Sequence, residues 1–174
     1  MTSFKQTARE YAKAVLAEFG VENAPVPVER IIKRRNIKVQ FSPLDKELSG
    51  MALIKDGVAI IGVNALHHPN RQRFTMAHEL GHHVMHREAI TGTVHVDKGF
   101  AMILMRDDLA SQGTDRMEIQ ANAFASELLM PESILEKMLD VSSVDLDDTE
   151  SLQAIARKFK VSLSALQYRL MAFT

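Results

Sequence analysis

The chain has 174 residues, 21 basic against 22 acidic side chains, a net charge of -1 and no cysteine. One compact domain is expected at this length. Lack of thiols excludes a disulfide scaffold, a thiolate metal site and a cysteine nucleophile, and the balanced charge gives no global case for nucleic-acid or membrane-surface binding.

With 46% hydrophobic residues the chain has material for a core, so disorder is not expected. No apolar run reaches the roughly 18 residues of a bilayer span. Met1 to Gln6 lead into an amphipathic pattern, not a secretory signal. A soluble, cytoplasmic protein is expected.

The first predicted helix places Phe4, Ala8, Tyr11, Ala12, Val15, Leu16 and Phe19 on one face. Gly20 is its expected stop. Pro25-Val26-Pro27 is a stiff connector to a short helix from Val28 to Arg35. Its basic residues Arg30, Lys33, Arg34 and Arg35 are read as a solvated face. Strand-like runs follow at Ile37 to Phe41, Gly50 to Ile54 and Val58 to Val63. Lys55-Asp56-Gly57 is a turn signal that joins the last two in a hairpin.

Pro69 suits the first position of a helix running to about His86. Glu88 to Asp115 reads as irregular, with one strand candidate at Gly99 to Met105. A long helix is expected from near Asp115 to Met130, and another from Glu132 to Leu139. The acidic stretch Val141 to Glu150 reads as a linker. The predicted organisation is a domain over 1–140 and a C-terminal helical hairpin over 141–174, packed on it or appended to it.

The most informative stretch is His78-Glu79-Leu80-Gly81-His82. Two imidazoles four residues apart lie about 40° apart in helical projection, so both can bind one zinc ion from the same face. Glu79 is then a candidate general base for an attacking water. Gly81 costs a helix about 1 kcal/mol relative to alanine, which is tolerable if another element passes close by. The bland alternative is a helix that happens to carry two histidines and a glutamate.

A peptidase zinc needs a third protein ligand. His86 and His83 lie about 80° and 140° round from His78; both are read as surface or locally hydrogen-bonded histidines. His67, His68 and His95, in loops, are not excluded by geometry. Glu118 falls inside the apolar arc of Met117, Ala121, Phe124, Ala125, Leu128 and Leu129. A carboxylate on a buried face is expensive unless paired or metal-bound. Glu118 also fits a capping box with Asp115 as N-cap, and the ligand and cap readings stand side by side. Glu127 projects to the opposite side with Gln120 and is read as solvated.

Arg73-Phe74-Thr75-Met76-Ala77-His78-Glu79-Leu80-Gly81-His82, together with Glu118-Ile119-Gln120-Ala121-Asn122-Ala123-Phe124-Ala125 and Glu127-Leu128-Leu129-Met130-Pro131, resembles the ImmA/IrrE family of bacterial and phage metallopeptidases. The likeness covers about Pro25 to Pro131. It implies that His78, His82 and Glu118 bind zinc and that Glu79 is the catalytic base. It also implies an α+β fold, with zincin-like helices around a small three-stranded β-sheet. Family members act on helix-turn-helix repressors, so the implied partner is such a repressor as protein substrate. Glu88 to Asp115 departs from the family pattern. A second donor to the oxyanion is usual in such a site, and His86, His95 and Tyr11 are the groups considered.

The tail from Leu152 to Leu170 reads as a helix-turn-helix-like hairpin. Ile155, Ala156, Phe159, Val161, Leu166 and Leu170 are its expected inter-helix contacts and Ser162 caps its second helix. Lys160 stands where DNA-binding examples often carry glycine. Packing on the core or docking a protein partner is preferred over DNA binding. The leading functional expectation is a zinc endopeptidase that cleaves a transcriptional repressor. The rivals are a regulatory binding protein that sequesters or senses a partner without proteolysis, and a DNA-binding regulator.

Overall fold

The Ser3 hydroxyl accepts the Gln6 N–H at 3.2 Å and starts α1, Phe4–Glu18. This helix opens a computed structural model that describes residues 3–97, 113–139 and 148–172. Ala8, Ala12, Val15 and Leu16 are its buried residues. The two alanines let it lie closely along a later helix, α4 (Gly113–Leu129). Phe4 and Tyr11, expected on that buried face, are about half exposed; the Arg116 guanidinium of α4 lies over the Phe4 ring. Gly20 takes a left-handed φ of 60° just past the helix end. Helix α2, Val28–Arg34, follows the proline-rich connector and buries Val28, Ile31 and Ile32.

Strands β1 (Ile37–Ser42), β2 (Gly50–Lys55) and β3 (Val58–Asn64) come next. Asp56 and Gly57 both have positive φ, the backbone of a type I′ turn, and β2 and β3 pair antiparallel across it. The sheet has four strands, not the expected three, in the order β1-β3-β2-β4. Strand β4, His95–Asp97, lies in the segment read as irregular. Three residues carry too little alternation to register as a strand. It pairs antiparallel with β2, setting Asp97 opposite Gly50 and His95 opposite Ala52.

Helix α3, Pro69–Met85, starts as expected with Pro69 in its first turn and the His68 ring accepting the Asn70 N–H at 3.2 Å. Thr75 to His83 are all buried, because the sheet covers one side and α4 the other. Of the two glycines at these contacts, Gly81 permits a close approach and Gly50 is a steric requirement. A Cβ on Gly81 would stand 3.1 Å from the Phe124 ring, and one on Gly50 would stand 2.4 Å from Thr75 Cγ2 and 2.9 Å from Glu79 Oε1.

Helix α4 begins two residues before the expected Asp115 and is followed by α5, Glu132–Met138. Glu127 is a correction to the sequence reading. It is buried and ion-paired with the equally buried Arg169. Its Oε1 also accepts the Glu132 N–H at 3.2 Å, while Arg169 Nε donates to the Met130 carbonyl at 3.2 Å. A projection of α4 alone sees one packing face; α7 (Leu163–Met171) covers part of the other.

Asp148 caps α6, Thr149–Phe159. Lys160 adopts the left-handed conformation at its end, and Ser162 Oγ accepts the Ala165 N–H at 3.1 Å to start α7. Leu152, Ala156, Phe159, Val161, Leu166 and Leu170 join the same apolar cluster as the buried faces of α1, α3 and α4. The result is a mixed α+β structure with seven helices and one sheet among the described residues, none of those helices long and apolar enough to cross a membrane. The strand candidate at Gly99 to Met105 lies outside the described residues, as do 140–147 of the acidic linker.

Candidate metal centre

Helix α3 presents His78 and His82 one turn apart, and α4 crosses it to bring in Glu118. His78 Nε2 and His82 Nε2 are 3.1 Å apart. Glu118 Oε2 is 3.2 Å from the first and Oε1 is 3.2 Å from the second. One donor atom from each residue lies within 4.8 Å of the other two. Both imidazoles are buried, and Glu118 is largely so.

The outer nitrogens are already committed. His78 Nδ1 lies 2.9 Å from Asn122 Oδ1, to which it donates. His82 Nδ1 lies 3.0 Å from His86 Nδ1, whose other nitrogen is 3.1 Å from Gln120 Oε1. Two inward-facing nitrogens with their proton-bearing partners turned away, plus a carboxylate, form an N,N,O donor set. Such a set fits a divalent cation of the zinc type.

Charge in the metal-free cluster is balanced locally. Burial drives His82 down to about 3, so its ring is neutral. Burial also works against a cationic His78, but Glu118, Asp97 and Glu79 outweigh it and raise His78 to about 10. Burial likewise opposes ionisation of Glu118, yet the His78, His82 and His95 rings set against it hold its carboxyl far below the ordinary range. Without metal, one proton on the imidazole pair balances one carboxylate.

Glu79 is fully buried and neither carboxyl oxygen has a hydrogen-bond partner. Burial pushes it well above the ordinary carboxylate value, although the His78 charge opposes this. A buried carboxyl with both oxygens uncommitted, beside a metal-type donor set, has the character of a proton acceptor rather than of a structural ion pair. Asp97, from β4, places a carboxylate oxygen within 4.8 Å of donor atoms of both His78 and Glu79.

Of the other histidines, only His95 reaches Glu118, with Nε2 2.6 Å from Oε1. His83 is buried and its Nε2 donates to the Ile60 carbonyl at 2.9 Å; it ties α3 to β3, so it is neither at the surface nor bonded locally as expected. His86, read as a surface or locally bonded residue, instead links α3 to α4. His67 pairs with Asn64, and His68 caps α3. Tyr11 is exposed on α1. Glu118 carries its oxygens to three imidazoles; the cap alternative involves Asp115, whose side chain lies outside the described residues.

Sequence reasoning missed Asn122, Gln120 and Asp97. Asn122 had a signal, since it lies one turn beyond Glu118 on the same face, the spacing of the two histidines. Gln120 had none, because its contact is with another helix. Asp97 is placed by the pairing of a strand that was not foreseen.

A family model described as Peptidase_M78, IrrE N-terminal-like domain, matches residues 32–171. The chain is 30% identical over 120 residues to the radiation response metalloprotease IrrE of Deinococcus radiodurans; the alignment covers 64% of this chain and 30% of that protein. A solved structure of a Mycobacterium tuberculosis transcriptional regulator superposes with a TM-score of 0.58 at 16% identity, covering 94% of this chain and 55% of the other. That last likeness is one of fold. The chain spans less than two thirds of the length of either relative.

Proposed function

Because this chain belongs to the IrrE N-terminal-like domain family of peptidases, we propose that it is a zinc-dependent endopeptidase, with His78, His82 and Glu118 as metal ligands and Glu79 as general base. The carrying observation is the convergence of two buried imidazoles and one carboxylate within 4.8 Å, beside a buried carboxyl with no hydrogen-bond partner.

Zinc, when bound, supplies a Lewis acid that activates water and the scissile carbonyl. Glu79 takes the proton of the attacking water and later delivers it to the leaving amine. Its raised affinity for a proton suits both tasks, since it holds the proton between the two transfers. The crossing of β2 against α3 at Gly50 leaves no room for a side chain there and sets the position of Glu79. Of the three groups considered as second donor to the developing oxyanion, we assign the role to His95. It lies against Glu118 on the edge strand, whereas both His86 nitrogens are engaged and Tyr11 is exposed on α1.

The substrate is a protein, as in a protease family. On the family resemblance we assign it as a helix-turn-helix repressor, cleaved to relieve repression in a mobile element, phage or stress response. The test is to incubate the zinc-loaded chain, and its Glu79→Gln variant, with a repressor encoded beside its gene. Cleavage by the first and not the second supports the assignment. Repressor binding without cleavage, unchanged in the variant, makes the protein a sequestering regulator instead.

A further inference from the structure

His82 offers its Nε2 lone pair to a cation only in the tautomer that carries the proton on Nδ1. Glu118 Oε1, 3.2 Å from Nε2, draws that proton the other way. The His78 Nε2, 3.1 Å away, opposes the carboxylate from the inner side when it carries a proton, and the outer nitrogen adds a constraint of its own. The outer nitrogen of His82 faces another imidazole nitrogen, His86 Nδ1, at 3.0 Å. Two ring nitrogens in such contact share one proton, and the contact alone does not say which ring donates.

Gln120 decides it. Its Oε1 stands 3.1 Å from His86 Nε2, and a carbonyl oxygen accepts only, so His86 Nε2 must donate. A neutral His86 then presents a bare Nδ1, and His82 must donate from its own Nδ1. Were the amide NH2 turned to His86, each step would reverse and the ion-facing nitrogen of His82 would carry the proton. The neighbouring ligand needs no such chain, because His78 Nδ1 reaches Asn122 Oδ1 directly at 2.9 Å.

We propose that Gln120 and His86 form a polarity relay from α4 to α3 that sets the tautomer of His82 and so keeps its inner nitrogen open to a metal ion. The relay rests on the metallopeptidase reading for its purpose, but its hydrogen-bond order is a property of the metal-free chain. Gln120 and His86 are positioning residues: they act through His82 and direct no group at the scissile bond.

The test uses the full chain and the variants Gln120→Glu, Gln120→Leu and His86→Phe. Nitrogen-15 NMR of labelled histidines reports the His82 tautomer in the metal-free proteins. Competition with a chromophoric chelator gives the zinc dissociation constant. The wild type is expected to show His82 protonated on Nδ1. Gln120→Glu, which keeps an acceptor and removes the donor, should retain that tautomer and bind zinc within about threefold of the wild type. Gln120→Leu and His86→Phe should shift His82 toward the Nε2-protonated form and weaken zinc binding roughly 10- to 100-fold. A wild-type tautomer and wild-type affinity in Gln120→Leu overturn the relay, as does an Nε2-protonated His82 in the metal-free wild type. If His86→Phe fails to fold, the Gln120 pair decides alone. A wild-type chain that takes up no zinc overturns the metallopeptidase reading, while the tautomer spectrum still decides the relay.

Discussion

His78 and His82 point their Nε2 atoms at each other across 3.1 Å on consecutive turns of one buried helix. Two lone pairs at that distance repel unless a proton or a metal ion lies between them, and Glu118 supplies the negative charge that holds either one. On the proposed zinc reading, metal-free and metal-loaded chains differ by an exchange of cations at this site.

That exchange makes zinc uptake pH-dependent. In the metal-free chain His78 is raised to about 10 and His82 lowered to about 3, so near neutral pH one imidazole proton must leave when zinc binds. Titration calorimetry at pH 7 in two buffers of different ionisation enthalpy should report release of about one proton. Affinity should rise about tenfold per pH unit on the approach to His78's raised value and flatten above it. Zinc uptake with no proton release would show that His78 enters the exchange already neutral.

Glu118→Ala separates ligand from cap. As a ligand, its loss should weaken zinc by more than about 100-fold, beyond the range of an outer-shell change, with helix content by circular dichroism unchanged. Stoichiometric zinc retained through gel filtration and measured by atomic emission would return Glu118 to a capping role.

Glu79→Gln should keep zinc and lose about 10²- to 10⁴-fold in peptide cleavage, the range of a general base. It should also alter stability with a definite sign. Burial raises the folded carboxyl above its unfolded value of 4.5, so above that pH the folded chain keeps a proton the unfolded chain has lost. Stability of the metal-free protein then falls as pH climbs from the unfolded toward the folded value. The variant lacks this linkage, so its urea midpoint relative to wild type should rise between pH 5 and 8. A constant difference would place Glu79 in a solvated setting.

The Glu127–Arg169 pair ties α7 to the core with both side chains buried. Arg169→Met leaves an uncompensated carboxylate and should destabilise the chain by about 3–5 kcal/mol. Adding Glu127→Leu removes the stranded charge and should recover much of the loss, although the Met130 carbonyl and Glu132 N–H still lose their partners. Urea unfolding of the two single variants and the double variant measures this. A single Arg169→Met variant as stable as wild type would rule out the pair as an anchor.

Short-range chemistry by itself determined a large part of this protein. Pro69 at a helix start, Gly20 at a helix stop, Asp56-Gly57 in a tight turn and Ser162 as a cap each act within a few residues of themselves. The same holds for His78 and His82, whose shared face follows from the helical repeat alone. What needed tertiary structure is everything set by a crossing of elements. Which groups Glu118 meets is set by where α4 passes α3. Gln120 and Glu127 were both placed on a solvated side because a single helix shows only its own stripe, yet one meets His86 and the other Arg169. Strand β4, with His95 and Asp97, is defined by hydrogen bonds to β2 and not by any period within its three residues. Contacts between distant segments obey packing and pairing across the fold, and no local pattern encodes them.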